Sequence, residues 1–330
     1  MTLYEKERTT VRDAARLAGK LCLAIREEML HEMGSMEKAG REPVTIADYG
    51  AQAIVMQHIA SVFASDGSLA EEKGSDFSRL TSDEQQLRIT RHVGGLLGRD
   101  VTAEDIKGWL DTGRDKDSAR RWVVDPIDGT KGFIRGDQFA VAVALVVDGE
   151  PVVGALACPL LPFGHNGASE ARGIVAVAVK GQGATLEPLI GEGPAVPMQV
   201  SDRIETVSAR IVESVETGHT DHDVSAAILE TAGVGGQTVR MDSQAKYAAV
   251  ADGRAEIYIR LQRDNYRERV WDHAAGAIIV QEAGGIVTDL DGKPLDFSLG
   301  QTLEANRGIL ATGSQPIHDA LLVAIKQHIG

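Results

Sequence analysis

The sequence predicts an α/β protein whose N-terminal part is α+β. Two early stretches carry apolar residues at helical spacing, strands rich in Val and Ala follow, and strands alternate with helices beyond residue 197. The 330 residues suffice for two domains of ordinary size. We place these domains at residues 1–185 and 198–330, because the stretch 181–197 holds four glycines and three prolines, which is typical of a linker.

Each element follows from its local pattern. Apolar stripes predict amphipathic helices at 4–31 and 44–63, and residues 71–121 are interpreted as loop-rich with one helical pattern at 84–97. Four strands are predicted at 121–124, 139–147, 151–157 and 173–179. In the second domain we expect strands at 210–215, 238–241, 256–260 and 308–312, with helices at 223–232, 244–251 and 272–283.

Composition and charge restrict the class of partner. A formal net charge of -14 repels nucleic acid polymers and anionic membranes, so we expect neither as a partner. Two cysteines are too few for a disulfide framework, the N-terminal stretch MTLYEKERTT has no apolar signal core, and no apolar run is long enough to span a bilayer. We therefore expect a cytoplasmic protein that binds a small molecule, as a monomer or alternatively a dimer.

The stretch WVVDPIDGTKGF places Asp125 and Asp128 at the end of a predicted strand. Two carboxylates and the Ile127 carbonyl offer hard oxygen ligands that suit Mg²⁺. The main-chain N–H groups of Gly129 and Thr130 are available to bind an anion. The alternative is a turn stabilised by Pro, Asp and Gly, with no chemistry of its own.

Matching acidic residues elsewhere favour the functional interpretation. PVTIADYGAQ contains Asp48, LAEEKGSD contains Glu71 and Glu72, and WDHAAG contains Asp272. Together with DPIDGT, these motifs resemble the lithium-sensitive inositol monophosphatase superfamily. Within that superfamily, ESVETGHTDHD, MDSQAKY and IYIRL resemble the 3'(2'),5'-bisphosphate nucleotidases. The resemblance extends over residues 44–312.

The resemblance implies a layered αβαβα sandwich and a site with two or three Mg²⁺ ions. Asp48 and Thr130 would polarise the attacking water. Independent chemistry agrees, because a two-metal site for phosphoryl transfer needs several converging carboxylates. The implied metal ligands are Glu71, Asp125, the Ile127 carbonyl, Asp128 and Asp272.

Some residues near these motifs allow other interpretations. Ala70 stands where the family usually has Gly, which leaves the loop geometry before the paired glutamates open. Glu72 is either a solvated loop charge or a support for the metal ligands. Asp272 could cap a helix as well as bind metal. Trp271 and His273 are interpreted as packing residues.

The second domain carries the predicted substrate contacts. A hydroxyl, an ammonium and a guanidinium suit a ribose and a second, non-reacting phosphate. The alternative is an exposed Lys246 and an Arg260 paired with a nearby acid. The resemblance implies that the nucleotide is contacted by Gly129, Thr130, His219, Ser243, Lys246 and Arg260.

A transition-metal site is a further alternative. His219, Asp221, His222 and Asp223 could together hold Zn²⁺ or Mn²⁺. We disfavour this site, because a cap and turn before a helix explains the same residues. The chain also lacks G-x-x-x-x-G-K-[ST], a complete dinucleotide fingerprint and G-x-S-x-G.

The sequence thus predicts a Mg²⁺-dependent phosphatase that converts adenosine 3',5'-bisphosphate to AMP and phosphate. The resemblance extends the expected substrates to the sulfated precursor nucleotide and inositol 1,4-bisphosphate, and it implies inhibition by lithium. One alternative is an inositol monophosphatase or sugar bisphosphatase. Another is a nucleotide-binding regulator without turnover.

Overall fold

The computed structural model describes residues 3–33, 42–114, 116, 118–164, 172–215, 222–261 and 266–329. Within these ranges two β-sheets alternate with three layers of helices, and apolar clusters fill the interfaces between layers. The predicted αβαβα sandwich is confirmed. No helix among the described residues is long and apolar enough to cross a membrane.

The first outer layer covers one face of the larger sheet. Its two long helices pack against each other and on the sheet, and each lies within two residues of the bounds predicted for it. Shorter helices follow in the same part of the chain. The helices are α1 (Glu5–Met33), α2 (Glu42–Val62), α3 (Gly74–Leu80), α4 (Asp83–Leu97) and α5 (Ala103–Leu110).

The larger sheet has seven strands among the described residues, arranged in chain order. The first pair of strands is parallel, and every other neighbouring pair is antiparallel. The strands are β1 (Gly67–Ala70), β2 (Arg120–Asp128), β3 (Ala140–Val147), β4 (Glu150–Cys158), β5 (Arg172–Val179), β6 (Gly183–Ile190) and β7 (Val196–Met198).

Side chains differ in size on the two faces of this sheet. In β3, Val141 and Val143 join the cluster under α1 and α2, whereas Ala142 and Ala144 belong to the cluster on the opposite face. Successive strand residues point to opposite faces, so the alternation of Val and Ala sorts them in this way. The alanine face therefore lets a helix approach the sheet closely.

The middle layer consists of α8 (Ala245–Ala251) and α9 (Ala274–Glu282), which pack on each other between the two sheets. Small residues make this possible, because a Cβ on Gly276 would lie 2.2 Å from a ring carbon of Tyr247. The 3-10 turn Val270–Asp272 precedes α9 and contacts β2. This packing places the start of α9 beside the strand that carries the DPIDGT motif.

The smaller sheet has five described strands, namely β8 (Ile211–Glu213), β9 (Thr238–Arg240), β10 (Ile257–Arg260), β11 (Ile286–Thr288) and β12 (Ile309–Thr312). Their spatial order is β11-β12-β10-β8-β9. The third helix layer shares an apolar cluster with this sheet and contains α7 (His222–Thr231) and α10 (Gln315–Ile329).

Two conformational predictions differ from the structure. Residues 181–197, predicted as a linker, form β6 and β7 at the edge of the larger sheet, with their glycines in the turns. Residues 71–121, predicted as loop-rich with one helix, also contain α3 and α5, which are too short to show a long apolar stripe. The division into domains at residues 185 and 198 stays a prediction.

Candidate active site

A cavity of about 280 Å³ opens where the end of β2 meets α8, β10 and the turn before α9. Ten of the twelve predicted site residues line this cavity. Asp48 does not line it, and His219 lies outside the described residues. The lining residues are Glu71, Asp125, Ile127, Asp128, Gly129, Thr130, Lys131, Asp242, Ser243, Gln244, Lys246, Tyr258, Arg260, Tyr266 and Asp272.

The end of β2 is irregular where its two aspartates stand. The pairing with β3 shifts register between Asp125 and Asp128, where Pro126 has no N–H to donate to the ladder. Gly129 follows with a φ of 86°, and a Cβ there would lie 2.9 Å from the Cβ of Ser243. Glycine is therefore required by both the backbone conformation and the close approach.

Four carboxylates from distant parts of the chain reach the cavity, namely those of Glu71, Asp125, Asp128 and Asp272. Asp128 Oδ2 accepts the main-chain N–H of Gln244 at 2.5 Å. Asp125 is buried, and its Oδ1 has no hydrogen-bond partner in the structure. An orphaned, buried carboxylate oxygen among other hard oxygen donors fits a site for a divalent cation such as Mg²⁺.

Mutual repulsion and burial change the acidity of this set. Glu71 is exposed at the cavity, but desolvation by the surrounding protein and the neighbouring Glu72 carboxylate raise its pKa to about 7, although its hydrogen bond with Asp125 acts in the opposite direction. Burial, followed by the neighbouring carboxylates, raises the pKa of Asp125 and of Asp272 well above the usual range. The charged forms of these carboxylates are therefore disfavoured unless a cation is bound.

This repulsion makes the stability of the metal-free protein depend on pH. The pKa of Glu71 rises from 4.5 to about 7 on folding, so the folded state binds more protons across that interval. The free energy of unfolding consequently falls as pH rises from about 4.5 to about 7. We expect Mg²⁺ to raise Tm more at pH 7.5 than at pH 5, relative to NaCl at equal ionic strength. An equal or larger increase at pH 5 would contradict this expectation.

The helix α6 (Thr130–Arg135) begins immediately after the DPIDG turn and contacts α2, which carries Asp48. The Thr130 hydroxyl donates to the Ile127 carbonyl at 3.3 Å. Burial, then the Glu72 and Glu71 carboxylates, raise the pKa of Asp48 well above its usual range. Asp48 thus lies behind the cavity wall and close enough to the acidic cluster to feel its charge.

Arg260 is buried and held by a chain of hydrogen bonds. Its Nε donates to Glu268 Oε1 at 2.9 Å, and one of its terminal nitrogens lies 2.7 Å from Glu268 Oε2. His273 Nε2 is 3.1 Å from the same Oε2, and its Nδ1 is 2.8 Å from the Tyr247 hydroxyl. The same Arg260 nitrogen lies 3.9 Å from Asp272 Oδ2. Arg260 therefore pairs with an acid and also lines the cavity.

Among the described residues, one group of three brings possible ligand atoms within 4.8 Å of one another: Glu268, Asp272 and His273. Of the predicted metal ligands, only Asp272 belongs to this group. Glu268 is already neutralised by Arg260, and its partner His273 is fully buried. This group is therefore better explained as the support of Arg260 than as a metal site.

The structure decides between some of the alternative interpretations of the residues near the motifs. Asp272 ends a 3-10 turn and the residue before α9 is His273, so the prediction that Asp272 caps this helix is wrong. Trp271 and His273 are buried. Glu72 is half-buried and hydrogen-bonds Tyr49, so the interpretation as a solvated loop charge is wrong.

The predicted substrate contacts of the second domain lie on one wall. Ser243 has a φ of 68°, and its hydroxyl accepts the N–H of Ala245 at 3.2 Å. Lys246 is buried at 3% exposure, its Nζ donates to the Met241 carbonyl at 3.3 Å, and it lies 5.2 Å from the ring centre of Tyr258. The alternative interpretation, an exposed Lys246, is therefore wrong.

The alternative Zn²⁺ site is only partly covered by the structure, since His219 and Asp221 lie outside the described residues. His222 begins α7, and its Nδ1 lies 3.5 Å from Glu213 Oε2. Several other cavity residues were not predicted from the sequence. Lys131, Asp242, Gln244 and Tyr258 stand inside motifs already singled out in the sequence, where attention to their polar side chains could have found them, whereas Tyr266 lies outside those motifs.

Comparison with known sequences agrees with this geometry. The family model described as the inositol monophosphatase family matches residues 6–329. A 3'(2'),5'-bisphosphate nucleotidase of Oryza sativa is 40% identical over 343 residues, covering 99% of this chain and 95% of the relative. A protein of the same name from Emericella nidulans is 36% identical and covers 98% of each chain.

Solved structures share the fold at lower identity. An inositol monophosphatase from Anabaena superposes with a TM-score of 0.65 at 24% identity, covering 98% of this chain and 96% of the other. CysQ from Bacteroides thetaiotaomicron gives a TM-score of 0.61 at 22% identity, covering 96% and 100%. These likenesses concern the layered architecture.

Proposed function

Because the chain belongs to the inositol monophosphatase family, we propose that it is a phosphatase that removes the 3'-phosphate of adenosine 3',5'-bisphosphate. The products are AMP and inorganic phosphate. The family is generally metal-dependent, and two or three Mg²⁺ ions are proposed here. The sulfated precursor nucleotide and inositol 1,4-bisphosphate are proposed as further substrates, and lithium as an inhibitor.

One observation carries this proposal: four carboxylates and a buried, positively charged wall face the same cavity. Glu71, Asp125, Asp128 and Asp272, with the Ile127 carbonyl, would hold the ions. Bound Mg²⁺ would neutralise phosphate charge and favour attack by water on phosphorus. A regulator that only binds nucleotides would not need four carboxylates that converge on one cavity and repel one another.

The remaining residues orient the water and the phosphate. Asp48, which does not line the cavity, would accept a hydrogen bond from the Thr130 hydroxyl, which would in turn accept one from the attacking water and so polarise and orient it. The N–H groups of Gly129 and Thr130, at the start of α6, would donate to oxygens of the reacting phosphate. Holding the water and the phosphate in a fixed relative orientation would lower the entropic cost of their reaction.

The opposite wall would bind the rest of the nucleotide. The Lys246 ammonium and the Arg260 guanidinium both line the cavity and offer cations to the 5'-phosphate. Glu268 holds Arg260 in one orientation, so little side-chain freedom is lost on binding. Ser243 offers a hydroxyl to the ribose. His219 remains a proposed contact outside the described residues.

Lys246 makes nucleotide binding sensitive to pH. Burial lowers its pKa to about 8, so the ammonium loses its proton as pH rises above 8 in the free protein. We expect KM for adenosine 3',5'-bisphosphate to rise about tenfold one pH unit above that pKa. The Lys246→Arg variant keeps its charge and should show a flat KM over the same range. A flat KM in the wild-type protein would contradict the assigned role.

The substrate assignment is tested by a panel of phosphate esters assayed with Mg²⁺. We expect a preference of at least about tenfold in kcat/KM for adenosine 3',5'-bisphosphate over inositol 1-phosphate and fructose 1,6-bisphosphate, because of these three only the nucleotide offers both a nucleoside ribose and a second phosphate to the opposite wall. A tenfold preference for inositol 1-phosphate would instead identify an inositol monophosphatase.

A further inference from the structure

Two buried glutamines bind the main chain beside the acidic cluster. Gln52, fully buried in α2, donates its Nε2 to the Glu72 carbonyl at 2.7 Å and accepts the Glu72 N–H on Oε1 at 2.8 Å. This pair of bonds holds the residue that directly follows Glu71. Arg114 also donates to the Ala70 and Glu72 carbonyls.

Gln244 performs the corresponding task on the other side of the cavity. Its side chain is 1% exposed, donates Nε2 to the Trp271 carbonyl at 2.8 Å and accepts the Gly276 N–H on Oε1 at 3.0 Å. These two bonds flank Asp272. The main-chain N–H of Gln244 donates to Asp128 Oδ2, so one residue connects both halves of the acidic set.

The backbone at these acids has little regular structure to hold it. Glu71 stands beyond the end of the four-residue strand β1, and Asp272 ends a three-residue 3-10 turn. Carboxylates that face one cavity repel each other, which favours conformations in which they separate. A buried amide with both its donor and its acceptor satisfied opposes that separation, because breaking its bonds leaves polar atoms unpaired.

We propose that Gln52 and Gln244 are positioning residues whose buried amides hold Glu71 and Asp272 at the cavity and thereby set its affinity for a divalent cation. The inference rests on the proposed metal-dependent function. Neither glutamine side chain is itself a proposed ligand. Gln244 has the larger effect on this affinity, because Arg114 supports the loop at Glu71 in addition to Gln52.

The test is the affinity for Mg²⁺ alone, measured by isothermal titration calorimetry on the full chain without substrate. Gln244→Met keeps the size of the side chain and the main-chain bond to Asp128, but it removes both amide bonds. We expect its Kd to rise at least about tenfold, as losses of supporting hydrogen bonds around metal ligands do. Gln52→Met should weaken binding in the same direction by a smaller factor.

A milder substitution of Gln244 tests the proposal if the methionine variants do not fold. Gln244→Asn retains an amide that is one methylene shorter, so it cannot reach the Trp271 carbonyl and the Gly276 N–H together. Its Kd should rise at least about threefold, between the wild-type and methionine values.

Asn306 provides a matched control, because its side chain does not line the cavity. Its amide is 8% exposed, donates to Asp289 Oδ2 and the Pro294 carbonyl, and accepts the Asp296 N–H. Asn306→Leu should lower Tm while leaving the Kd for Mg²⁺ within about twofold. Unchanged Kd values in the glutamine variants would overturn the inference alone. A wild-type protein without Mg²⁺ binding would overturn both the inference and the proposed function.

Discussion

Replacing Asp125 by Asn is expected to reduce kcat/KM for adenosine 3',5'-bisphosphate by at least about 10³. Asp125 is buried and its Oδ1 has no hydrogen-bond partner, so we expect a bound cation to compensate its negative charge. The measurement is phosphate release with saturating Mg²⁺. The exposed Asp137, which pairs with Arg135, supplies the control: Asp137→Asn should retain activity.

The same variant separates loss of metal from loss of folding. Burial and the surrounding carboxylates raise the pKa of Asp125, so an uncharged amide at this position relieves repulsion in the metal-free protein. In the presence of a chelator, we expect Tm of Asp125→Asn to equal or exceed that of the wild type. Activity near the wild-type level, or a Tm several degrees lower in chelator, would contradict the assignment.

Replacing Asp48 by Asn is expected to lower kcat by about 10² to 10⁴, the range found when a positioned proton acceptor is removed. Asp48 does not line the cavity, so the affinity for the nucleotide should change little. Single-turnover phosphate release measures the first quantity, and calorimetric titration with nucleotide measures the second.

A conservative change at Thr130 completes this experiment. Thr130→Ser keeps the hydroxyl that would connect Asp48 to the water, and it should retain most of the turnover. Unchanged turnover in Asp48→Asn would refute the proposed role of this carboxylate. Equal losses of turnover and nucleotide affinity would instead indicate a structural role.

Sequence patterns predicted the elements whose burial is periodic. The α1 and α2 stripes and the Val and Ala alternation of β3 report directly on which side chains face the core. The strand β6 was missed because its glycines and prolines resemble a linker, and only pairing with β5 shows that they serve an edge hairpin. Such pairing is a tertiary fact without a local signature.

The candidate site likewise contains residues that the sequence predicts and residues that it does not. DPIDGT was interpretable because a strand end, a tight turn and two acids occur within a few residues. The hydrogen bonds that hold the site in place could not be predicted from the sequence, because those of Gln52 to Glu72 and of Arg260 to Glu268 depend on how separate elements pack. The roles of the individual site residues stay predictions until variants are assayed.

The central claim, metal-dependent release of the 3'-phosphate, is tested most directly by one assay of the wild-type protein. Adenosine 3',5'-bisphosphate is incubated with protein stripped by chelator, then with Mg²⁺ restored, and both phosphate and the nucleoside monophosphate are identified. We predict no release without metal, recovery with Mg²⁺, and AMP with a 5'-phosphate as the product. Release that persists in chelator, or a product that retains the 3'-phosphate, would contradict the account.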